Sequence, residues 1–215
     1  MIEEWEKRPK GQHKMWIDLQ FNGIELSCRQ IQKILNINKL KMNNRKRPSQ
    51  IKFVKYERSN PNELWHVDWT TCPYTKKQLI AFIDDHSRFI VHAEFFENAN
   101  AENTILAFIN AIKKHSKPKE TLTDNGTQFI SDLFKEFCIN NNIKHILGRI
   151  HHPQTNGKIE RWFGTYKLEL TDYFKSLDEF VNYYNNERLH QGIGYITPSQ
   201  RFFHEKKDNV SLISV

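Results

Sequence analysis

The feature that most constrains this chain is a change in the period of its apolar residues near position 97. Before it come three short strand-like runs. Leu64–Thr70 alternates and is β-branched or aromatic, Gln78–Ile83 is a second run, and Phe89–Phe96 a third. The link Asp84-Asp85-His86-Ser87 is short enough to make the second and third an antiparallel hairpin. After it the period lengthens. Ala101–His115 places Ile105, Phe108, Ile109 and Ile112 on one helical face. Glu120–Thr123 is a short strand, and Gln128–Asn140 reads as one amphipathic helix carrying Phe129, Ile130, Leu133, Phe134, Phe137 and Cys138. Ile143–Leu147 is a fifth strand. A polar loop over 148–157, a helix bearing Glu160, a helix over Leu177–Asn186 and a last short helix opened by Thr197-Pro198-Ser199 complete the pattern. The order β-β-β-α-β-α-β-α predicts an α/β fold, a mixed five-stranded sheet flanked by helices.

Charge divides the chain differently. The formal charge is +7, yet residues 1–60 hold 14 Lys/Arg against 6 Asp/Glu, and residues 61–215 hold 18 against 19. A basic arm joined to a near-neutral domain is the pattern of a protein that meets a polyanion. Within the arm, Ser27 is a candidate N-cap, and Ile31, Ile34 and Leu35 share one face of a helix over 27–38. That helix suits the second helix of a helix-turn-helix, or equally an ordinary amphipathic surface helix. Residues 1–26 show no convincing period, although Trp5, Trp16, Ile17 and Leu19 are available to pack. Lys39 to Arg47 has five basic residues in nine, with Arg45, Lys46 and Arg47 the candidate phosphate contacts, and Pro48 ends it. The expected division is therefore 1–48, a small basic helical region and linker, and 61–203, the main domain. Three scattered cysteines, Cys28, Cys72 and Cys138, form no CxxC pair and read as reduced thiols. No 18-residue apolar run and no signal-peptide pattern occur, so the expectation is no membrane span and a cytoplasmic protein.

Three acids stand out against this frame. Asp68 lies inside an apolar strand run, where a carboxylate is costly unless paired or metal-bound. Asp124 ends a strand, and Asn125-Gly126 then turns the chain away. Glu160 sits on the first turn of a helix whose core-facing stripe is Ile159, Trp162, Phe163, Tyr166 and Leu170. Mg²⁺ takes hard oxygen ligands and keeps several waters, so a few carboxylates suffice to bind it. Two such ions flanking a phosphate activate a water or 3′-hydroxyl and stabilise the leaving oxygen. Asp84 and Asp85 are rivals, but a hairpin turn is where Asp belongs for structural reasons. Lys167 lies seven residues after Glu160, on the same helical stripe, with Gly164 between them. That glycine either leaves room for a bulky substrate or lets another helix pack closely.

Together these segments resemble the retroviral-integrase superfamily, specifically its insertion-sequence transposases. The residues that carry the resemblance are Trp65-x-x-Asp68, Asp84-x-x-Ser87-Arg88, Thr123-Asp124-Asn125-Gly126-x-x-Phe129, and His152-Pro153-Gln154-Thr155-Asn156-Gly157-x-x-Glu160-Arg161. Tyr184-Asn185-x-x-Arg188-x-His190 and Thr197-Pro198 follow, and 35 residues, 125–159, separate Asp124 from Glu160 as the family's Asp-Asp-Glu pattern requires. The resemblance implies a ribonuclease-H-like integrase catalytic core. It implies Mg²⁺- or Mn²⁺-dependent cleavage of double-stranded DNA at mobile-element ends, and strand transfer into target DNA. Asp68, Asp124 and Glu160 are then the metal ligands, holding two ions when DNA is bound. Lys167, Asn125, Gln154, Asn156, Lys158 and Arg161 are the candidate DNA contacts, the 148–157 loop is a mobile active-site loop, and a homo-multimer on DNA is implied. No His-His-Cys-Cys zinc domain matches, and only about half of a helix-turn-helix precedes the basic linker. The alternative is accordingly a truncated, DNA-binding but catalytically silent copy.

Overall fold

The computed structural model describes residues 2–7, 9–40, 57–148, 156–170 and 174–203. The chain divides into two compact units, Met1–Lys55 and Tyr56–Val215. Arg45, Lys46, Arg47 and Gln154 lie outside the described residues.

In the first unit, helices α1 (Ile2–Lys7), α2 (Gln12–Phe21) and α3 (Cys28–Ile37) supply a small core of Trp5, Met15, Leu19, Ile31 and Leu35. The expected α3 is present. Ser27 and Gln30 close a reciprocal capping box, Gln30 N donating to Ser27 Oγ (3.3 Å) and Ser27 N to Gln30 Oε1 (2.9 Å). Helices α1 and α2 were not legible, because α2 buries only Met15 and Leu19, and one i, i+4 pair makes no period. Between α2 and α3, Gly23 takes φ +71° and Ile24 N donates to Leu19 O (2.9 Å), a left-handed stop that glycine adopts without strain.

The second unit is built on a five-stranded sheet: β1 (Leu64–Thr71), β2 (Gln78–Asp84), β3 (Ile90–Phe96), β4 (Glu120–Thr123) and β5 (Lys144–Leu147). The spatial order is β3-β2-β1-β4-β5. β1, β2 and β3 pair antiparallel, while β4 runs parallel to both β1 and β5. The sheet is thus mixed, and β1 sits at its centre where the two halves join.

Strand periodicity sends alternate residues to opposite faces. Trp65, Val67, Ile80 and Phe82 pack on one face against Ala107, Phe108 and Ala111 of α4 (Ala101–His115), Phe129 of α5 (Thr127–Ile130) and Phe134 and Cys138 of α6 (Asp132–Asn140). Leu79, Ala81 and Ile83 pack on the other, against Ile159, Trp162, Phe163 and Tyr166 of α7 (Gly157–Glu169) and Phe180, Tyr183 and Tyr184 of α8 (Leu177–Asn186). A short helix, α9 (Pro198–Phe202), closes the described chain, with Thr197 as its N-cap and Phe202 stacked on Phe89.

One element departs from expectation. The single helix predicted over 128–140 is two, broken at Ser131, whose extended backbone ends α5 and whose hydroxyl accepts from Phe134 N (3.3 Å) to start α6. The apolar pattern runs straight through this break, so periodicity alone could not reveal it.

Candidate active site

The register of the parallel pair brings the first two acids together. Leu64, Trp65 and His66 of β1 lie opposite Glu120, Thr121 and Leu122 of β4. Two residues further along, the same register sets Asp68 beside Asp124, on strands about 4.8 Å apart. Trp65 and Val67 face α4, so His66, Asp68 and Thr70 face the side that α7 covers, and α7 packs against both β1 and β2. Glu160, on the first turn of α7, is exposed on the flank away from the buried Ile159, Trp162 and Phe163.

Backbone amides orient two of the carboxylates. Trp69 N donates to Asp68 Oδ1 (2.7 Å), and Gly126 N donates to Asp124 Oδ1 (2.9 Å) across the turn that follows β4. Burial pushes the Asp68 carboxyl up to about 7, and the like charges of Asp124 and Glu160 push in the same direction against the Trp69 amide. A buried carboxyl with two acidic neighbours that favour its protonated form is a place where a cation would relieve the repulsion. Among the described residues no three His, Cys, Asp or Glu side chains converge into a ready-made metal cage. The three side chains offer only carboxylate oxygens, the donor type that Mg²⁺ and Mn²⁺ take with waters completing the shell, and none of the Cys or His donors typical of zinc.

The surroundings separate the expected DNA contacts into two groups. Lys167 is exposed and donates from Nζ to Thr70 Oγ1 (2.9 Å), two residues beyond Asp68 on β1. Arg161 and Asn125 are exposed, and Asn125 Nδ2 donates to Gly148 O (2.9 Å), tying the end of β4 to the end of β5. A Cβ added at Gly164 would meet nothing within 4 Å, so close helix packing does not explain that glycine.

Lys158 and Asn156 depart from expectation. Lys158 Nζ is turned inward to Asp85, bonded to its carboxylate and to its main-chain carbonyl (3.1 Å). The Asn156 side chain is buried at the start of α7, and its Oδ1 has no hydrogen-bond partner among the described residues. Both are held inside the fold in this structure rather than presented to a ligand. Sequence could not show this for Lys158, because its partner lies 73 residues away.

The rival acids Asp84 and Asp85 are structural in their contacts. Asp84 accepts from Ser87 N (2.8 Å), Ser87 Oγ (2.6 Å) and Asn62 N (2.8 Å), which shapes the β2–β3 turn. Asp85 is buried against His66, whose Nε2 donates to its Oδ1 (2.6 Å), and against Lys158.

A family model described as Integrase core domain matches residues 58–153, and a second of the same description matches residues 141–198. Together they span about two thirds of the chain, with Asp68 and Asp124 inside the first and Glu160 inside the second. The chain belongs to the integrase core domain family. This integrase core is 34% identical over 115 residues to the Gag-Pro-Pol polyprotein of Human T-cell leukemia virus 2, covering 53% of the chain and 8% of the polyprotein. It is 28% identical over 148 residues to the transposase for transposon Tn552 of Staphylococcus aureus, covering 60% of the chain and 30% of that transposase. The chain therefore corresponds to less than a third of either relative. Among solved structures, the HTLV-2 integrase catalytic core domain in complex with magnesium (dimeric form) matches with a TM-score of 0.57 and 28% identity, over 67% of this chain and 98% of that one. The fold is thus that of integrase catalytic cores, the ribonuclease-H-like sheet.

Proposed function

We propose that this integrase core cleaves DNA at the ends of a mobile element and joins the resulting 3′-hydroxyl to target DNA. The observation that carries the reading is the β1–β4 register, which sets Asp68 beside Asp124 on the face where α7 presents Glu160. Its similarity to the Tn552 transposase and to an integrase core solved with magnesium supports the same reading. Asp68, Asp124 and Glu160 would hold Mg²⁺ or Mn²⁺, two ions with DNA bound, supplying the charge that activates the attacking oxygen and stabilises the leaving one.

The chain's own groups do the positioning. The Trp69 and Gly126 amides fix one oxygen each of Asp68 and Asp124. Lys167, Arg161 and Asn125 stand exposed around the acids and are the proposed contacts to phosphate and base edges. The basic segment containing Arg45, Lys46 and Arg47, and the exposed Arg29 and Lys33 of α3, are proposed as further phosphate contacts supplied by the first unit. Joining two element ends requires more than one copy, so the working form is a homo-multimer on DNA.

The test is cleavage and joining of labelled element-end DNA, taken from the flanks of the gene, with Mg²⁺ and with EDTA. Metal-dependent 3′ nicks and joined products are expected from the wild type and not from Asp124→Asn. Binding without any cleavage by the wild type would leave only a DNA-binding protein.

A further inference from the structure

Asp85 ties together the two elements that carry Asp68 and Glu160. Its side chain is buried, yet it is not needed for the turn in which it lies, because Asp84 and Ser87 already close that turn. Asp85 Oδ1 accepts from His66 Nε2 (2.6 Å) on β1 and from Lys158 Nζ on α7. Its Oδ2 accepts from Arg58 N (2.6 Å), on the segment that enters the unit, and its own N donates to Leu64 O (2.9 Å) at the start of β1.

The two side chains it holds are each two residues before an acid of the site: His66 before Asp68, and Lys158 before Glu160. On β1 that offset keeps His66 and Asp68 on one face, about 7 Å apart along the strand. On α7 it places Lys158 and Glu160 about 200° apart around the helix axis, so pinning Lys158 inward turns Glu160 outward. The apolar stripe Ile159, Trp162, Phe163 and Tyr166 seats α7 on the sheet, but apolar contact is non-directional and tolerates rotation and sliding. A buried ion pair is a poor source of net stability compared with well-packed apolar groups, and its best-attested use is to fix register.

We infer that Asp85 is a positioning residue of the active site: through His66 and Lys158 it sets the placement of Glu160 relative to Asp68. The inference rests on the proposed function for its consequence in metal binding, but not for the placement of α7 itself.

Three variants of the full chain separate positioning from mere support: Asp85→Asn, Lys158→Met and the double variant, with Asp124→Asn as the control. The double variant removes both charges of the Asp85–Lys158 pair, so most of the thermal stability lost in Asp85→Asn returns. Hydrogen exchange of peptides covering 157–166 nevertheless remains at least ten-fold faster than wild type, while peptides from β2 are unchanged. Mn²⁺ alone, followed by the paramagnetic signal of the free ion, binds at least five-fold more weakly. Recovery of both exchange and Mn²⁺ affinity together with stability overturns the inference. Lys158→Met keeps the bonds of Asp85 to His66 and Arg58, and the same changes in α7 are expected there even if Asp85→Asn does not fold. A wild type without Mn²⁺ binding that Asp124→Asn removes would sink the functional reading, and the exchange comparison still decides whether Asp85 holds α7.

Discussion

Two pairs of aspartates lie close together in this fold and have opposite fates. Asp84 and Asp85, at the end of β2, are surrounded by donors. For Asp85 burial works to raise the carboxyl, but the hydrogen bonds and charges of His66 and Lys158 overcome it and hold the group well below the usual carboxylate range. Asp68 and Asp124 are oriented by one backbone amide each, and for Asp68 burial and its acidic neighbours win, taking it up to about 7. The residue type is the same, and so is the sheet. What differs between Asp85 and Asp68 is whether the fold itself supplies the countercharge; Asp84, whose hydrogen-bond donors are neutral, is also pushed up by burial. An acid that the fold satisfies holds structure, and an acid left among other acids is the one that the proposed function gives to a metal ion.

The sharpest way to break this contrast is to neutralise one member of each pair. Asp124→Asn is expected to abolish strand cleavage, a loss of at least about 10³-fold, or ~4 kcal/mol in the barrier, with thermal stability unchanged. Retained cleavage in the labelled-DNA assay removes Asp124 from the site. Asp85→Ala is expected to do the reverse to stability, lowering it by about 3 kcal/mol in urea titration because Lys158 and His66 lose the buried carboxylate they share. A change below about 0.5 kcal/mol, as for an ordinary surface substitution, would erase the distinction between the pairs.

A smaller effect sharpens the comparison through pH. Because folding raises the Asp68 carboxyl, the folded chain holds that proton more tightly than the unfolded chain does. The stability linked to it is fully present below about pH 4 and is lost as pH rises towards 7. Asp68→Asn should therefore stabilise the protein at pH 8 in EDTA, by about 1–2 kcal/mol, and make no such gain at pH 4. Adding Mg²⁺ should raise the wild-type melting temperature more than that of the variant. An equal gain at both pH values would assign the effect to packing. The smallest change is expected from Lys167→Ala. DNA affinity falls several-fold and the slope of log K against log salt shrinks by about one, with little change in melting temperature. A large melting loss at normal affinity would make its bond to Thr70 purely structural.

What the sequence made legible followed from local chemistry. The five strands were readable because each apolar run is short and ends in a turn signal, such as Asp84 to Ser87 or Asn125-Gly126. α4 and α8 were readable because their apolar residues keep one period over ten or more positions. The outward Glu160 and inward Tyr166 followed from helix geometry. The first two helices escaped because each gives only one or two buried residues to a core shared with α3, too few to make a stripe. The break at Ser131 escaped because both sides of it are equally apolar. At the site, a lysine beside a candidate catalytic acid looked like a DNA contact, and only tertiary structure shows that Lys158 is used inside. Long-range polar partners of this kind leave no period and no spacing to read.

The β1–β4 pairing also sets a timetable for synthesis. The antiparallel ribbon β1–β2–β3 ends at Phe96, so it can form once that residue has left the ribosome. The other edge of β1 waits for Glu120–Thr123, and β4 then needs β5 beyond it. At typical elongation rates of about 5–20 residues per second, some fifty residues after β1 leave its inner edge unpaired for roughly 3–10 s. During that interval the nascent chain displays a long apolar strand with open hydrogen-bonding groups, a template for pairing with the wrong partner. The central strand that later carries Asp68 thus waits with one edge open while β4 is being made.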